Sequence, residues 1–262
     1  MTIFFHEMKR NRLSVIIWSA AIAMMLLLCV VLYPLMEPIM NDLGALAAQM
    51  GGLSEAMDMD QLGLGSFDGY FAVECGEMLG LGGALFAGIL GVGALSKEER
   101  DRTGEFLLTH PVSRACVVRG KLLAVFAQIT LLNIAVVAIN ALGILAIGEG
   151  EYLKPLWLLF VAYYLMQLQI AAVTFGLSAF LRRGALPIGL GVGFFFYFLN
   201  ILANIAEETE FLKFLTPFGY CEGSLILEEK TLQWKYLAVG AAMAIVAVTL
   251  AFRKYQRKDI IL

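Results

Sequence analysis

Charged residues are scarce in this chain. Asp, Glu, Lys and Arg make up 16% of its 262 residues, and hydrophobic residues make up 60%. Soluble domains usually contain about 25% charged and about 45–50% apolar residues. The mean hydropathy of +0.79 agrees with this imbalance. The composition therefore excludes an ordinary soluble domain and indicates an integral membrane protein.

Motifs that support catalysis are also missing from the sequence. A P-loop needs a glycine five residues before its Gly-Lys pair and Ser or Thr after it, but Gly120-Lys121 is followed by Leu122 and has no such glycine. HExxH, GxSxG and CxxC pairs are absent, and the two histidines are isolated. Because a membrane hydrolase needs a nucleophile with a base, or a set of metal ligands, we predict no catalytic residue, metal site or cofactor in this chain.

The four cysteines, Cys29, Cys75, Cys116 and Cys221, do not have the spacing of metal ligands. Cys75 and Cys221 are both expected near the outer surface, where a disulfide between them is one interpretation. Two isolated, small apolar side chains are the other.

Six uncharged apolar runs are long enough to cross a bilayer, which takes roughly 20 residues. Segments of about ten alternating residues, the pattern of a membrane β-barrel, are absent. Only helices then satisfy the backbone inside lipid, so we predict an all-α, polytopic membrane protein. We predict a single transmembrane domain that covers residues 1–262. Its predicted spans are at about residues 13–36, 70–95, 120–148, 155–181, 184–206 and 235–253.

Basic residues are distributed unevenly between the connections. If both termini face the cytoplasm, fifteen of the nineteen Lys and Arg residues lie inside, in residues 6–12, 97–121, 182–183 and 253–258. Sixteen of the 22 acidic residues then lie outside or at the outer rim. Since Lys and Arg concentrate in cytoplasmic loops, we predict a plasma-membrane protein with both termini in the cytoplasm. Its inner basic residues are expected to meet anionic lipid headgroups.

Residues 2–12, TIFFHEMKRNR, have the pattern of an amphipathic helix at the membrane interface. Ile3, Phe4, Phe5 and Met8 fall on one face, and the charged residues fall mostly on the other. A basic flank that only sets the topology is the alternative interpretation. The apolar run that follows is about twice as long as a signal-peptide core, so we expect it to be retained as a span.

A few polar side chains interrupt the apolar spans or stand at their outer ends. We predict that six of them line a translocation path: Glu74, Glu77, Asn133, Asn140, Asn200 and Asn204. The two carboxylates are three residues apart and therefore share a helical face. Other interpretations stay open, because a helix N-terminus favours carboxylates and amides often bond between membrane helices.

Small residues recur every four positions along the second span, at Gly76, Gly80, Ala84 and Gly88, and again at Gly83, Ala87 and Gly91. Small residues at this spacing let two helices approach closely. We therefore predict a packing face along this span, either within the chain or between subunits.

The segment from Ser96 to Lys121, SKEERDRTGEFLLTHPVSRACVVRGK, holds ten charged residues between two apolar spans. It is predicted to be a water-exposed cytoplasmic connection. Its first part is charged and then apolar at Phe106-Leu107-Leu108, and Pro111 disfavours helix at the preceding residue. A short helix along the inner membrane surface fits this pattern, as a docking element or as an interfacial turn.

This connection resembles the corresponding loop in permease subunits of ABC transporters of the type-2 exporter (ABC-2) family. That loop typically reads acidic residues, a Gly-Thr-like turn, Glu, a leucine pair, Pro-Val-Ser-Arg and Gly-Lys. The matching residues here are Glu98-Glu99, Thr103-Gly104-Glu105, Leu107-Leu108, Pro111-Val112-Ser113-Arg114 and Gly120-Lys121, with Thr103 before Gly104 rather than after it. Six spans, the N-terminal elbow and Thr216-Pro217-Phe218 extend the resemblance over essentially the whole chain.

The resemblance implies the permease half of an ATP-driven exporter. The loop would be a coupling helix seated in a separate ABC ATP-binding subunit, which would hold ATP and Mg²⁺. Two six-span subunits, identical or related, would form the translocation path at their interface. The implied ATPase-coupling residues are Glu98, Glu99, Arg102, Glu105, Phe106, Leu107, Leu108, Pro111 and Arg114. The charged residues of this set would orient the loop on the ATP-binding subunit, and the apolar residues would supply the buried contact with it.

Two other functions stay open from the sequence. An ion-coupled secondary carrier or channel would need no ATPase and would use a titratable group in its path, for which Glu74 and Glu77 are the candidates. A membrane scaffold or sensor would bind a partner through the same loop without moving a substrate. No nucleic-acid partner is expected in any of these cases.

Overall fold

The computed structural model describes residues 2–47, 66–100, 113–181, 185–205 and 207–257, and no β-strand occurs among them. The α-helices are α1 (Thr2–Ala47), α2 (Phe67–Cys75), α3 (Gly82–Arg100), α4 (Arg114–Ala146), α5 (Leu153–Ser178), α6 (Ala185–Ile205), α7 (Gly223–Glu229) and α8 (Trp234–Arg257). A π-helical segment, Gly76–Leu81, joins α2 to α3. Short 3₁₀ helices cover Gly150–Tyr152, Glu207–Phe214 and Pro217–Tyr220.

Six stretches within these ranges are long and apolar enough to cross a membrane. They are Thr2–Ile39, Phe67–Lys97, Arg114–Ala146, Gly150–Ser178, Leu186–Ile205 and Trp234–Arg257. The all-α, polytopic fold with six spanning helices is therefore confirmed. The predicted coupling helix falls mostly on residues 101–112, which lie outside the described residues.

The N-terminal elbow is not a separate helix. Residues 2–12 form the first turns of α1, which continues without a break into the first span. The physical reason is visible in the sequence, because α1 contains no proline or glycine before Pro34 and therefore has no residue that would end the helix there.

The contacts define two ends of the bundle. At one end, called the terminal end here, Glu7 of α1 contacts Lys121 of α4, and Arg114 of α4 contacts Gln256 of α8. At the opposite end, called the far end, the ring of Phe67 lies 5.0 Å from that of Tyr33 and 5.6 Å from that of Tyr152. The last turns of α3 and the first turn of α4, on either side of residues 101–112, therefore lie at the terminal end.

The stripe of small residues on the second span packs inside the same chain. A side chain at Gly83 would overlap the amide of Gln167 on α5, and one at Gly88 would overlap the backbone of Gly189 on α6. Gly91 likewise faces Thr174 on α5. The absent side chains let α3 lie close to both helices. Large apolar side chains such as Ile134, Phe195 and Ile245 are exposed on the outside of the bundle, where lipid would contact them.

Candidate functional site

A buried ion pair joins the first and fourth helices at the terminal end. The Nζ atom of Lys121 lies 3.3 Å from Oε1 of Glu7 and donates a hydrogen bond of 2.6 Å to the carbonyl oxygen of Ala94. Lys121 is 2% exposed and Glu7 is 7% exposed. Because Ala94 precedes residues 101–112 and Lys121 follows them, this one side chain connects α1 to both helices that flank the predicted coupling loop.

Amide side chains extend this network along α1. Lys97 donates to Oδ1 of Asn11 at 3.1 Å, and Asn11 donates to Oε1 of Gln128 at 3.2 Å. Gln128 in turn donates to the backbone carbonyl of Glu7. These residues border a cavity of about 280 Å³ that Leu186 of α6 also lines. The terminal end therefore contains a polar cavity whose lining groups come from four helices.

Of the predicted coupling residues, Arg114 is the one whose side chain the structure describes. Its Nη1 donates to the carbonyl oxygen of Gln256 at 3.1 Å. Arg114 is the first residue of α4 because Ser113 caps the helix, accepting a hydrogen bond from the amide of Cys116 at 3.2 Å. Only the backbone of Glu98 and Glu99, in the last turn of α3, is described. Arg102, Glu105, Phe106, Leu107, Leu108 and Pro111 lie outside the described residues.

Asn133 and Asn140 form hydrogen bonds between and within helices in the middle of the bundle. Asn133 donates to Oε1 of Gln167 at 2.7 Å, and Gln167 donates to the carbonyl of Leu79 at 3.1 Å. Asn140 donates to the carbonyl of Val136 at 2.9 Å and is fully buried. Asn140 also donates to the carbonyl of Ala23 on α1 at 3.5 Å, so each asparagine bonds both to its own helix and to a second helix. The Asn133–Gln167–Leu79 chain connects α4, α5 and the π-helical segment.

Glu74 and Glu77 face different helices, so the predicted shared face is not observed. Glu74 accepts a hydrogen bond from the thiol of Cys29 on α1 at 3.3 Å. Glu77 accepts one from the hydroxyl of Tyr197 on α6 at 2.8 Å. The physical reason is the π-helical segment that begins at Gly76, since its wider turn changes the angular spacing of the residues on either side.

A small cavity at the far end brings together three of the predicted path residues. It has a volume of about 90 Å³, and its lining includes Glu77, Asn200 and Asn204. Tyr197 and Glu222 also line it, and neither was singled out from the sequence. Tyr197 was detectable, because it precedes Asn200 and Asn204 at helical spacing on α6. Glu222 was not, since it comes from a distant part of the chain that only folding places there.

The Thr-Pro-Phe motif attaches the last far-end segment to α6. The Oγ1 atom of Thr216 donates to the carbonyl of Phe196 at 2.9 Å and accepts from the amide of Phe218 at 3.3 Å, which caps the short helix Pro217–Tyr220. Tyr220 then donates to Oε1 of Gln169 on α5 at 2.8 Å. The motif therefore holds the segment that carries Glu222 against the bundle.

Cys75 and Cys221 are buried, free thiols in this structure. Burial raises the pKa of the Cys221 thiol well above its usual value, and the proximity of Cys75 acts in the same direction. The structure therefore places the two thiols near each other, unpaired and buried, and both interpretations stay open. No group of three or more His, Cys, Asp and Glu side chains within the described ranges is arranged to hold a metal ion.

Six helices long and apolar enough to span a membrane, with a charged connection between the second and third, define a multi-pass membrane protein. A family model described as "ABC-2 family transporter protein" matches residues 1–260. The chain belongs to the ABC-2 transporter family, as the loop motif predicted, and is a membrane component of transport. No curated protein matches the chain.

Proposed function

We propose that this chain is the permease subunit of an ATP-driven ABC exporter. The match to the ABC-2 family over residues 1–260 carries the proposal. ATP and Mg²⁺ bind to a separate ABC ATP-binding subunit, because the P-loop motif is absent here. The permease lies in the plasma membrane with both termini in the cytoplasm, on the basis of its Lys and Arg distribution. Two copies, or this chain and a related permease, form the translocation path.

The contacts at the terminal end support a coupling role for residues 101–112. The helices before and after this connection meet at Lys121, which bonds to Ala94 of α3 and pairs with Glu7 of α1. Arg114 links the start of α4 to the end of α8. A displacement of the connection by an ATPase therefore acts on four helices together rather than on one.

The two cavities within this chain are separated from each other. One lies at the terminal end beside Lys121, and the other lies at the far end beside Glu77. Between them, the side chain of Gln167 fills the space above Gly83 and bonds to Asn133. This separation agrees with a translocation path formed between two subunits rather than through one bundle.

The test is co-purification in detergent with the cognate candidate ATPase, recording the ATPase rate. The unmodified chain is compared with Glu105→Lys and Leu107→Asp. Glu228→Lys is the matched control, because Glu228 is exposed in α7 on the far-end segment. We expect both loop variants to lose the ATPase while the control keeps it.

Normal membrane insertion of both loop variants is required for that result to count. The proposal would be overturned if the ATPase binds both loop variants as well as the unmodified chain, or if no ATPase binds the unmodified chain. The assignment would then move to an ion-coupled carrier or channel.

A further inference from the structure

We infer that the far-end cavity beside Glu77 binds a compact, singly charged cation. The chemistry fits an alkali metal ion or the protonated primary amine of a small solute. The cavity is built from the π-helical segment, α5, α6 and the segment around Glu222. Because these groups all belong to this chain, the inference does not depend on the ATPase partner of the proposed function.

The charge balance of the cavity leaves one carboxylate without a counterion. Glu222 is paired with Lys213, whose Nζ lies 2.9 Å from Oε2. Glu77 accepts the hydroxyl of Tyr197, and the described residues place no Lys or Arg in an ion pair with it. A carboxylate partly removed from water is stabilised by a nearby positive charge. Glu77 is therefore the group that a cation entering the cavity would neutralise.

Neutral oxygen atoms complete the candidate site. The side-chain oxygen of Asn204 is shielded from solvent and has no hydrogen-bond partner in the structure. Asn204 lines the cavity together with Asn200 and Tyr197, which lie on the same face of α6. Amide and carboxylate oxygens are the ligands that hard cations prefer, and they accept hydrogen bonds from an ammonium group. An unpaired acceptor and a carboxylate that line the same cavity are groups that a cation would satisfy.

The volume and the charge limit the ligand. Drug-sized molecules occupy about 300–1,000 Å³, whereas this cavity has about 90 Å³. The small volume suits a compact ion or an ammonium headgroup better than a drug-sized molecule. Calcium usually takes 6–8 oxygen ligands, including several carboxylates. The single uncompensated carboxylate of Glu77 therefore favours a monovalent cation.

The backbone around Glu77 is shaped for this arrangement. Gly76, the first residue of the π-helical segment, lies so close to Tyr163 that an added Cβ would be 3.0 Å from the tyrosine oxygen. That hydroxyl donates to the carbonyl of Cys221, next to Glu222, at 3.3 Å. Single π-helical turns occur often at functional sites. Here the π-helical segment directs Glu77 toward α6. On the other side of the cavity, Tyr163 holds the segment around Cys221 and Glu222 in place.

The test is isothermal titration calorimetry of the purified full chain in nanodiscs. Sodium chloride, potassium chloride and ethylammonium chloride are titrated separately, with tetramethylammonium chloride keeping the ionic strength constant. The first two titrations report a metal-ion site, and the third reports an amine site. We expect saturable heat with at least one of the three cations. We expect Glu77→Gln to weaken that binding by at least tenfold, because it removes the charge and keeps the shape.

Glu208→Gln is the matched control, since Glu208 is exposed at the far end and does not line the cavity. If Glu77→Gln does not fold, Asn204→Leu is used as the test variant in its place. It removes the unpaired oxygen and is expected to weaken cation binding in the same way. No saturable binding by any of the three cations, or binding unchanged in the folded variant, would overturn the inference. The ATPase co-purification is unaffected by that outcome, so the two proposals fail separately.

Discussion

The ammonium group of Lys121 lies 3.3 Å from the carboxylate of Glu7, although the whole second span separates the two residues in sequence. Both side chains are almost completely buried, and Lys121 also bonds to the backbone of α3. Breaking a buried ion pair by removing one partner leaves an uncompensated charge. The pair therefore makes the stability of the terminal end depend on α1, α3 and α4 together.

We expect Lys121→Met to lower the free energy of unfolding by about 3 kcal/mol, the lower end of the range for such changes. Arg10, 4.0 Å from Glu7, offsets part of the lost charge. The double variant Glu7→Leu with Lys121→Met is expected to recover much of the loss, because no buried charge remains unpaired. Thermal unfolding in nanodiscs measures the stability of the single and double variants. If the double variant loses the sum of the two single losses, Glu7 and Lys121 are not energetically coupled.

Gly189 on α6 is expected not to tolerate a side chain. A Cβ atom there would lie 2.7 Å from the carbonyl oxygen of Gly88, on the backbone of α3. Gly189→Ala should therefore separate α3 from α6 and cost about 1–3 kcal/mol, the usual range for overpacking. Gly191→Ala is the control on the same helix, because no atom of another helix lies within 4 Å of its added Cβ. Equal melting temperatures for the two variants would show that the close approach is not needed.

Gln167→Leu is expected to loosen the middle of the bundle. The change removes the partner of Asn133 and of the Leu79 carbonyl at once. Hydrogen bonds between membrane helices contribute about 0.6 kcal/mol on average and about 1.7 kcal/mol at most, so two lost bonds should cost about 1–2 kcal/mol. Gln233→Leu, which removes an exposed bond to Glu229, serves as the comparison. Hydrogen exchange of α5 should rise in the first variant and stay unchanged in the second.

The cysteines provide a test of orientation. Cys116 is exposed near the start of α4, whereas Cys75 and Cys221 are buried. The raised pKa of Cys221 also keeps it in the less reactive thiol form at neutral pH. A membrane-impermeant maleimide should therefore label Cys116 in inside-out vesicles and leave Cys221 unlabelled until the protein is denatured. A Cys116→Ser variant gives the background, and labelling of Cys116 in right-side-out vesicles would reverse the predicted topology.

Several features of the fold were predictable because they depend on local composition. Uncharged runs of sufficient length define the spanning helices. The Ser113 cap, which starts α4 at Arg114 rather than at about residue 120, was not predicted. The small-residue stripe on the second span indicated close helix packing. What the spacing did not reveal was the partner, since Gly88 meets Gly189 within the same chain.

The candidate site was predictable only in part. Asn200 and Asn204 were found because amides are rare in spans, and both line the far-end cavity. Glu74 was grouped with Glu77 on the assumption of a regular helix, and the π-helical turn sends them to different neighbours. Lys121 was expected, like the other inner basic residues, to meet anionic lipid headgroups, yet it is buried in an ion pair.

The sequence by itself determined an all-α membrane protein with six spanning helices and its membership of the ABC-2 family, because hydropathy and a contiguous loop motif are local properties of the chain. The tertiary structure alone decided which polar groups meet. Glu7 with Lys121, and Glu77 with Tyr197 and Asn204, come from separate helices, and their proximity depends on how closely glycine-containing faces let those helices pack.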